Sequence, residues 1–533
     1  MGWLQILAGL NDEVADYPFS RGDIGRYHAL VAGEGERGVD GQTARDMLLD
    51  DYADRLGRES SIFGRQMLHR RLRSSGDGTR VRALLAAPDL LARLGWICRP
   101  LRTAETEIAE SLFGDALPPA PQWVRWLWVL PGAWLASIAL AFVLPLGWIA
   151  AVALTMVLVA IQTAWHERAA EWDRVLLPLR TMLDVHQALG LEPDDAGLLA
   201  PFVPDAADAG KLRRRFELAL GDRVPGQREY RDWLLQANVK RYCATRTVLM
   251  AQRDFLRRSF ALVAALEADC ALARHLQEAE VFCWAEPAAS LTLSGVVHPL
   301  LAQPAPVDFA LGRQGEGAFI SGQNGVGKST LLRTVGINLI AARAFGFCYA
   351  TAAHVPSVPV YASMQSEDAM DSGESLYMAE LRRARELLAL AAHGPAVFII
   401  DEIFRGTNHL ESVSAATAVL HGLARRHLVI VSSHNLELAP LLRTQLAPFC
   451  VEAVDGHVRV GPGVLVDTNG IRLLAGSGFD PAIQRDADIV FAWLSRHARG
   501  EDAGPPPILG VTAGTPAVMA QPVASTCRSA LGK

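Results

Sequence analysis

Lysine is almost missing from this 533-residue chain: only four of its 51 basic side chains are lysine, and the rest are arginine. The net charge of -6 excludes a globally basic protein, so any contact with nucleic acid must come from a local patch. Cysteine is scarce and scattered. Cys98, Cys243, Cys270, Cys283, Cys348, Cys450 and Cys527 form no CxxC pair, which argues against a zinc site and a disulfide framework and for a reducing, cytoplasmic environment. A basic leader is missing too: MGWLQILAGLNDEVADY reaches Asp12 and Glu13 early, so no signal peptide is expected. No internal repeat is found.

The most consequential absence is local. From Trp126 to Trp165 there is no Asp, Glu, Lys, Arg or His, which leaves forty uncharged residues in a row. Because about 20 apolar residues cross a bilayer core, this length predicts two crossings joined at Leu144-Pro145-Leu146-Gly147. Seven of the twelve tryptophans fall between residues 123 and 172, several of them where spans would meet lipid headgroups. Both ends of such a hairpin lie on one side, and a need for ATP would put the soluble parts in the cytoplasm, at the inner (cytoplasmic) membrane. The flanking charges, Arg125 before and Glu167 with Arg168 after, add little to that orientation.

Around the hairpin the chain divides by composition. Residues 1–115 and 167–285 have helical apolar spacing with few breakers, as in VRALLAAPDLLARLGWI. From 286 to 499, short apolar runs such as GAFIS, AVFIID and LVIVSS alternate with helical stretches, the pattern of a parallel α/β sheet. Residues 500–533 are rich in Pro, Gly, Ala, Ser and Thr and are expected to be disordered. The fold class expected is thus an α/β P-loop NTPase domain, a parallel-rich sheet with flanking helices. It follows a mostly α-helical region that contains a two-helix transmembrane hairpin across 116–166.

One of the four lysines explains itself. Residues 322–329, GQNGVGKS, fit GxxxxGK[ST] after an apolar strand and before a helix-like run. Gly322, Gly325 and Gly327 let backbone N–H groups turn toward phosphates at a helix N-terminus. Lys328 brings a compact ammonium on a flexible stem, which a planar guanidinium cannot imitate in a narrow loop. Ser329 offers a hydroxyl to Mg²⁺, and Thr330 helps hold the loop or the nucleotide. Asp401 and Glu402 end the apolar run AVFIIDE. There the Asp would hold the magnesium shell and the Glu would orient and deprotonate the attacking water. His434, at the end of LVIVSSHN, is placed as a γ-phosphate sensor.

SGESLYMAELRRARELL (372–388), IIDEIFRGTNHLES (399–412) and VSSHNLELAPLL (431–442) together resemble the ATPase domain of the MutS family of DNA mismatch-repair proteins. GVVHPLL (295–301) is similar to that family's RHP element, and residues 461–487 are similar to its closing region. The first 115 residues and 167–285 resemble the family's helical lever and core more loosely. The resemblance implies a composite ATPase that works as a homodimer, in which Ser375 reaches the γ-phosphate held by the opposite subunit. It also implies that Asn324 matches the family's loop asparagine. The loop departs from GPNMGGKST at Gln323, Gly325 and Val326, and no Phe-x-Glu occurs in the first 115 residues.

What the lever would grip is left open. Lys211 to Arg215, Lys240-Arg241, and Arg253 with Arg257-Arg258 read as DNA phosphate contacts, as solvated helix faces, or as contacts with anionic lipid. Two other classes compete with a clamp ATPase. An ABC-type membrane ATPase is disfavoured because the LSG string, Leu293 to Gly295, precedes the phosphate loop. A nucleotide-binding scaffold without hydrolysis is the other.

Overall fold

The computed structural model describes residues 17–33, 37–116, 120–194, 196–217, 227–311, 317–364, 376–454, 457–465, 470–498 and 504–507. The central element is a six-stranded sheet, whose strands in chain order are β1 (Gly317–Gly322), β2 (Val360–Ser363), β3 (Val397–Asp401), β4 (Leu428–Ser432), β5 (Leu446–Val454) and β6 (His457–Pro462). Their spatial order is β6-β5-β1-β4-β3-β2, parallel throughout except for the β5–β6 pair. Period-two alternation divides the parallel strands between two cores. Val397 and Ile399 of β3 face a core shared with the helical part of the chain, while Phe398 and Ile400 face a second core.

The helices used below are α1 (Ile62–Arg73), α2 (Val129–Ala141), α3 (Leu146–Leu191), α4 (Ala237–Ala251), α5 (Arg253–Glu278), α6 (Lys328–Phe345), α7 (Leu376–Ala391) and α8 (His409–Ala424). The helix α6 and the helical body cover one face of the sheet, whereas α7 and α8 cover the other. The helical regions on either side of the apolar stretch share one core. Phe63 on α1 packs 5.5 Å from Phe260 on α5, and Tyr27 lies 5.0 Å from the same ring. A buried carboxylate joins them as well. Glu267 of α5 accepts from Ser61 N at 2.8 Å and Gly64 N at 3.0 Å, so it caps the N-terminus of α1.

The exposed edge of β2 would invite pairing with another chain, and residues near the N-terminus cover it. Ala362 N donates to Thr43 Oγ1 at 2.7 Å, and Met364 N donates to Asp46 Oδ2 at 2.9 Å. Arg383 of α7, only 9% exposed, joins this patch through Asp40 Oδ2 at 2.6 Å and Ala362 O at 3.1 Å. Arg383→Met takes from Asp40 its charged partner and from the Ala362 carbonyl its side-chain donor, so a loss of about 3 kcal/mol in unfolding free energy is expected. Denaturant unfolding measures it.

The apolar segment departs in part from the two crossings expected. A hairpin does form: α2 packs along the start of α3, and Trp134 Nε1 donates to Thr155 Oγ1 at 2.8 Å. Its arms are unequal, however. Among the described residues only α3 is long and apolar enough to cross a membrane, and α2 has just 13 residues. The forty uncharged residues are not all in two helices, because 126–128 precede α2, at the end of a 3₁₀ turn that begins at Gln122, and 142–145 form the bend. Beyond the apolar stretch α3 runs unbroken to Leu191, inside the helical body.

Where the body meets the sheet, Tyr349 OH lies 2.9 Å from both Tyr52 OH and His275 Nε2. Burial, reinforced by Arg55 and Arg58, lowers the His275 pKa to about 4. The unfolded imidazole binds its proton near pH 6.5, so His275 costs stability as pH falls from about 6.5 toward 4 and nothing further above it. The expected outcome is a wild-type stability that drops by about 1–2 kcal/mol relative to His275→Gln between pH 7 and 5, read from paired melts.

Candidate nucleotide-binding site

The parallel register brings three strand ends together: Ser432 of β4 pairs with Asp401 of β3 on one side and with Ile320 of β1 on the other. Such carboxyl ends are where α/β sheets place their ligands. After β1 the chain turns through Gly325 and Gly327, whose φ values of 76° and 102° are left-handed and suit glycine. A Cβ on Gly325 would meet nothing within 4 Å, so the loop is open on that side as a phosphate cradle requires.

Lys328, the first residue of α6, is 8% exposed, and its Nζ donates to Gly322 O at 2.9 Å and Gln323 O at 3.0 Å. The ammonium is thereby drawn back over its own loop. Burial lowers its pKa, against the opposing charges of Glu402 and Asp401. Ser329 and Thr330 follow it in the first turn of α6, at the positive end of the helix dipole. Asn324 lies in the turn before the helix.

Asp401 is 4% exposed, and Ser432 Oγ donates to its Oδ1. Glu402 is left-handed, with φ 57°, and so is Phe404, with φ 58°. Two non-glycine residues in that region mark a strained turn, as functional sites often contain. The Glu402 N–H donates to Ser432 O at 2.9 Å. His434 Nε2 is 2.9 Å from Glu402 Oε1, and Arg405 Nε is 3.1 Å from Oε2. Burial pushes the Glu402 carboxyl up, but the hydrogen bond and charge of His434, with Arg405 and Lys328, outweigh it and hold the group below its ordinary value. His434 therefore sits on the acidic pair rather than apart from it, with its side chain 48% exposed.

Among the described residues no three His, Cys, Asp or Glu side chains cluster as a metal cage. Mg²⁺ does not need one, since it is held through one or two protein oxygens with phosphates and water. Ser329 and Asp401 fit that requirement. Ser375 lies outside the described residues.

Sequence reasoning missed the support behind Glu402. Glu380 of α7 accepts from Arg405 N at 3.2 Å and Gly406 N at 3.3 Å, and so holds the loop that follows the acidic pair. The stretches MAE and FRGT gave the clue, a carboxylate one turn into a helix and an arginine-glycine pair. Gly406 is there because a Cβ would stand 2.6 Å from Tyr377 N. Gly406→Ala is expected to push the loop off α7 and cut ATP turnover about tenfold or more, with little change in thermal midpoint; steady-state kinetics and a melt separate the two effects.

A glycine loop with a buried lysine at a helix start, beside an acidic strand end and a histidine, defines a phosphate-loop nucleotide-binding domain. More particularly, residues 318–458 match the family described as MutS domain V. Over 190 residues the chain is 29% identical to DNA mismatch repair protein MutS of Thermus aquaticus, covering 34% of this chain and 23% of that protein. Over 290 residues it is 28% identical to MutS of Bartonella tribocorum, 48% of this chain and 30% of that one. Endonuclease MutS2 of Carboxydothermus hydrogenoformans is 29% identical over 199 residues, 34% of this chain and 24% of that one. The chain thus spans between about a quarter and a third of the length of these relatives.

Proposed function

We propose that this chain is a membrane-anchored, MutS-like ATPase that binds and hydrolyses Mg-ATP as a homodimer and converts the cycle into movement of its helical lever. The observation that carries the hydrolytic half is the convergence of Lys328, Asp401, Glu402 and His434 on one corner of the sheet, with Glu402 held ionised by His434 Nε2 at 2.9 Å. The loop from Gly322 through Asn324, Gly325 and Gly327 supplies N–H groups, and Lys328 moves its ammonium from the loop carbonyls to the phosphates. Ser329 and Asp401 would hold the magnesium, which neutralises phosphate charge when bound. Glu402 takes a proton from the attacking water, with His434 steadying its carboxylate. Thr330 steadies the loop, and Ser375 of a second copy completes the pocket. Binding then clamps two nucleotide domains and hydrolysis releases them.

The membrane half rests on α3, whose most apolar stretch is only 22% buried within the protein. Its outcome would be an inner-membrane protein with its soluble parts in the cytoplasm. Fractionation of the full chain, with ATPase assay of the detergent-solubilised material, tests both halves together. A soluble, active protein removes the anchor and keeps the enzyme.

DNA as the object of the lever is suggested by the names of the mismatch-repair relatives. Four cations of the basic runs are engaged inside the fold. Arg213 pairs with Asp184 at 2.9 Å and Arg241 with Asp173 at 2.8 Å, while Arg253 and Arg257 both donate to Leu112 O at 2.7 Å. Arg214 and Arg215 stay exposed. With those four cations engaged, the expected result in mobility shifts is weak DNA binding, lost between about 50 and 200 mM salt. Tight binding to mismatched or branched duplex at the higher salt would make the chain a repair protein in the full sense.

A further inference from the structure

The hairpin of α2 and α3 ends in the bend Phe142-Val143-Leu144-Pro145, where Phe142 is 82% and Val143 78% exposed. How the hairpin inserts rests on the membrane reading above and is set by its lengths and hydrogen bonds. We propose that this hairpin enters the bilayer from one face and turns back inside the hydrocarbon, a re-entrant wedge rather than a pair of crossings.

The 13 residues of α2 rise about 20 Å at 1.5 Å each, short of the roughly 30 Å of a hydrocarbon core. On α3 the exposed large apolar side chains begin at Leu146 and stop at Val159, and the next is Leu177. That interval measures about 20 Å, so although the uncharged run of α3 continues to Trp165, its outward-facing large apolar surface matches the depth of α2.

A nearby amphipathic segment marks the same level. The helix Gln227–Leu235 leaves Tyr230 79% and Trp233 46% exposed, and it ends at the fully buried Gln236. Gln236 Nε2 donates to Leu158 O and to Trp233 O, both at 3.1 Å, which pins this aromatic helix beside Leu158. Aromatic rings of this kind settle at the membrane–water boundary. The base of the hairpin continues that belt: Trp165 packs 5.8 Å from Trp123 and 5.6 Å from Tyr242, with the Arg168 guanidinium 5.6 Å from the Trp165 ring.

The tip is built for lipid and not for water. A bend emerging on the far side would be expected to carry polar side chains, yet from Ile138 to Leu154 there is none but the indole of Trp148. Four of its backbone donors are satisfied locally, in the manner hydrocarbon demands. Val143 N and Leu144 N donate to Leu140 O at 3.0 and 2.8 Å, Gly147 N to Leu144 O at 2.9 Å and Trp148 N to Pro145 O at 3.1 Å, and Pro145 has no N–H to satisfy. Gly147 lets the arms close, since a Cβ there would lie 2.3 Å from Ala141 N. The flanking hydroxyls are spent inside the hairpin: Ser137 donates to Trp134 O at 2.7 Å and Thr155 to Ala151 O at 2.8 Å.

Cysteine accessibility in the full-length chain tests this. Val143→Cys at the tip and Tyr230→Cys at the belt are exposed to a membrane-impermeant maleimide-polyethylene glycol in sealed vesicles of both orientations, with the unmodified chain as baseline. The re-entrant wedge is expected to protect position 143 at least tenfold from both sides until detergent is added, while position 230 reacts from the cytoplasmic side. Labelling of position 143 from the opposite side means two crossings and overturns the proposal. Labelling from the cytoplasmic side without detergent means a hairpin outside the hydrocarbon and overturns it too. Release of the unmodified chain by alkaline carbonate instead sinks the membrane reading itself, and the wedge with it.

Discussion

Replacing Glu402 by glutamine is expected to lower ATP turnover by about 10²- to 10⁴-fold, the usual contribution of a positioned general base, while nucleotide affinity changes little. Glutamine keeps the shape of the side chain and loses only its basicity. The carboxylate it replaces is oriented from two sides, by His434 Nε2 at 2.9 Å and Arg405 Nε at 3.1 Å. Burial alone would raise the Glu402 pKa, yet these neighbours bring it below the ordinary value, so at neutral pH the base is ionised and ready. Activity should therefore persist as pH falls to the ordinary carboxylate range and fail only below it. Removing the strongest of the lowering influences has a directional consequence: His434→Ala moves the acid limb of the pH–rate profile upward. Equal and negligible rates in wild type and Glu402→Gln would favour a nucleotide-binding scaffold.

Lys328→Ala is expected to weaken nucleotide binding by about 10²-fold, since a charged hydrogen bond to a desolvated phosphate is worth about 1.5–3 kcal/mol and the loop loses its only cation. The folded chain suffers as well. Lys328 is 8% exposed and donates to Gly322 O at 2.9 Å and Gln323 O at 3.0 Å, so its loss leaves two carbonyls without that donor near Asp401 and Glu402. Lys328→Arg restores charge without restoring function, because a planar fork does not fit between those carbonyls. Titration with a fluorescent ATP analogue reads the affinity, and a denaturation curve reads the stability. Unchanged affinity in Lys328→Ala would remove the loop from the site.

Much of this site could be read from residue order because its parts are local. A loop of GxxxxGKS and an apolar run ending in Asp401-Glu402 each declare their own conformation, and parallel strands of like length must end side by side. What the order of residues hides is side-chain traffic between distant segments. Arg383 meeting Asp40, or Glu380 holding the Arg405 and Gly406 amides, depends on how α7 lies against the sheet, which no local pattern encodes. Nor did spacing announce that Glu402 and Phe404 take left-handed conformations, since neither residue type favours them. The apolar stretch shows the opposite error. Counting uncharged residues measured how much chain avoids water, but the length of α2 is set by the 3₁₀ turn before it and the bend after it.

ATP turnover by the detergent-solubilised full-length chain, measured across a dilution series with Mg²⁺ and again with excess EDTA, tests the central claim most directly. A composite site between two copies gives Mg²⁺-dependent hydrolysis whose specific rate rises with protein concentration and then levels off. Hydrolysis absent at every concentration, or insensitive to EDTA, contradicts it.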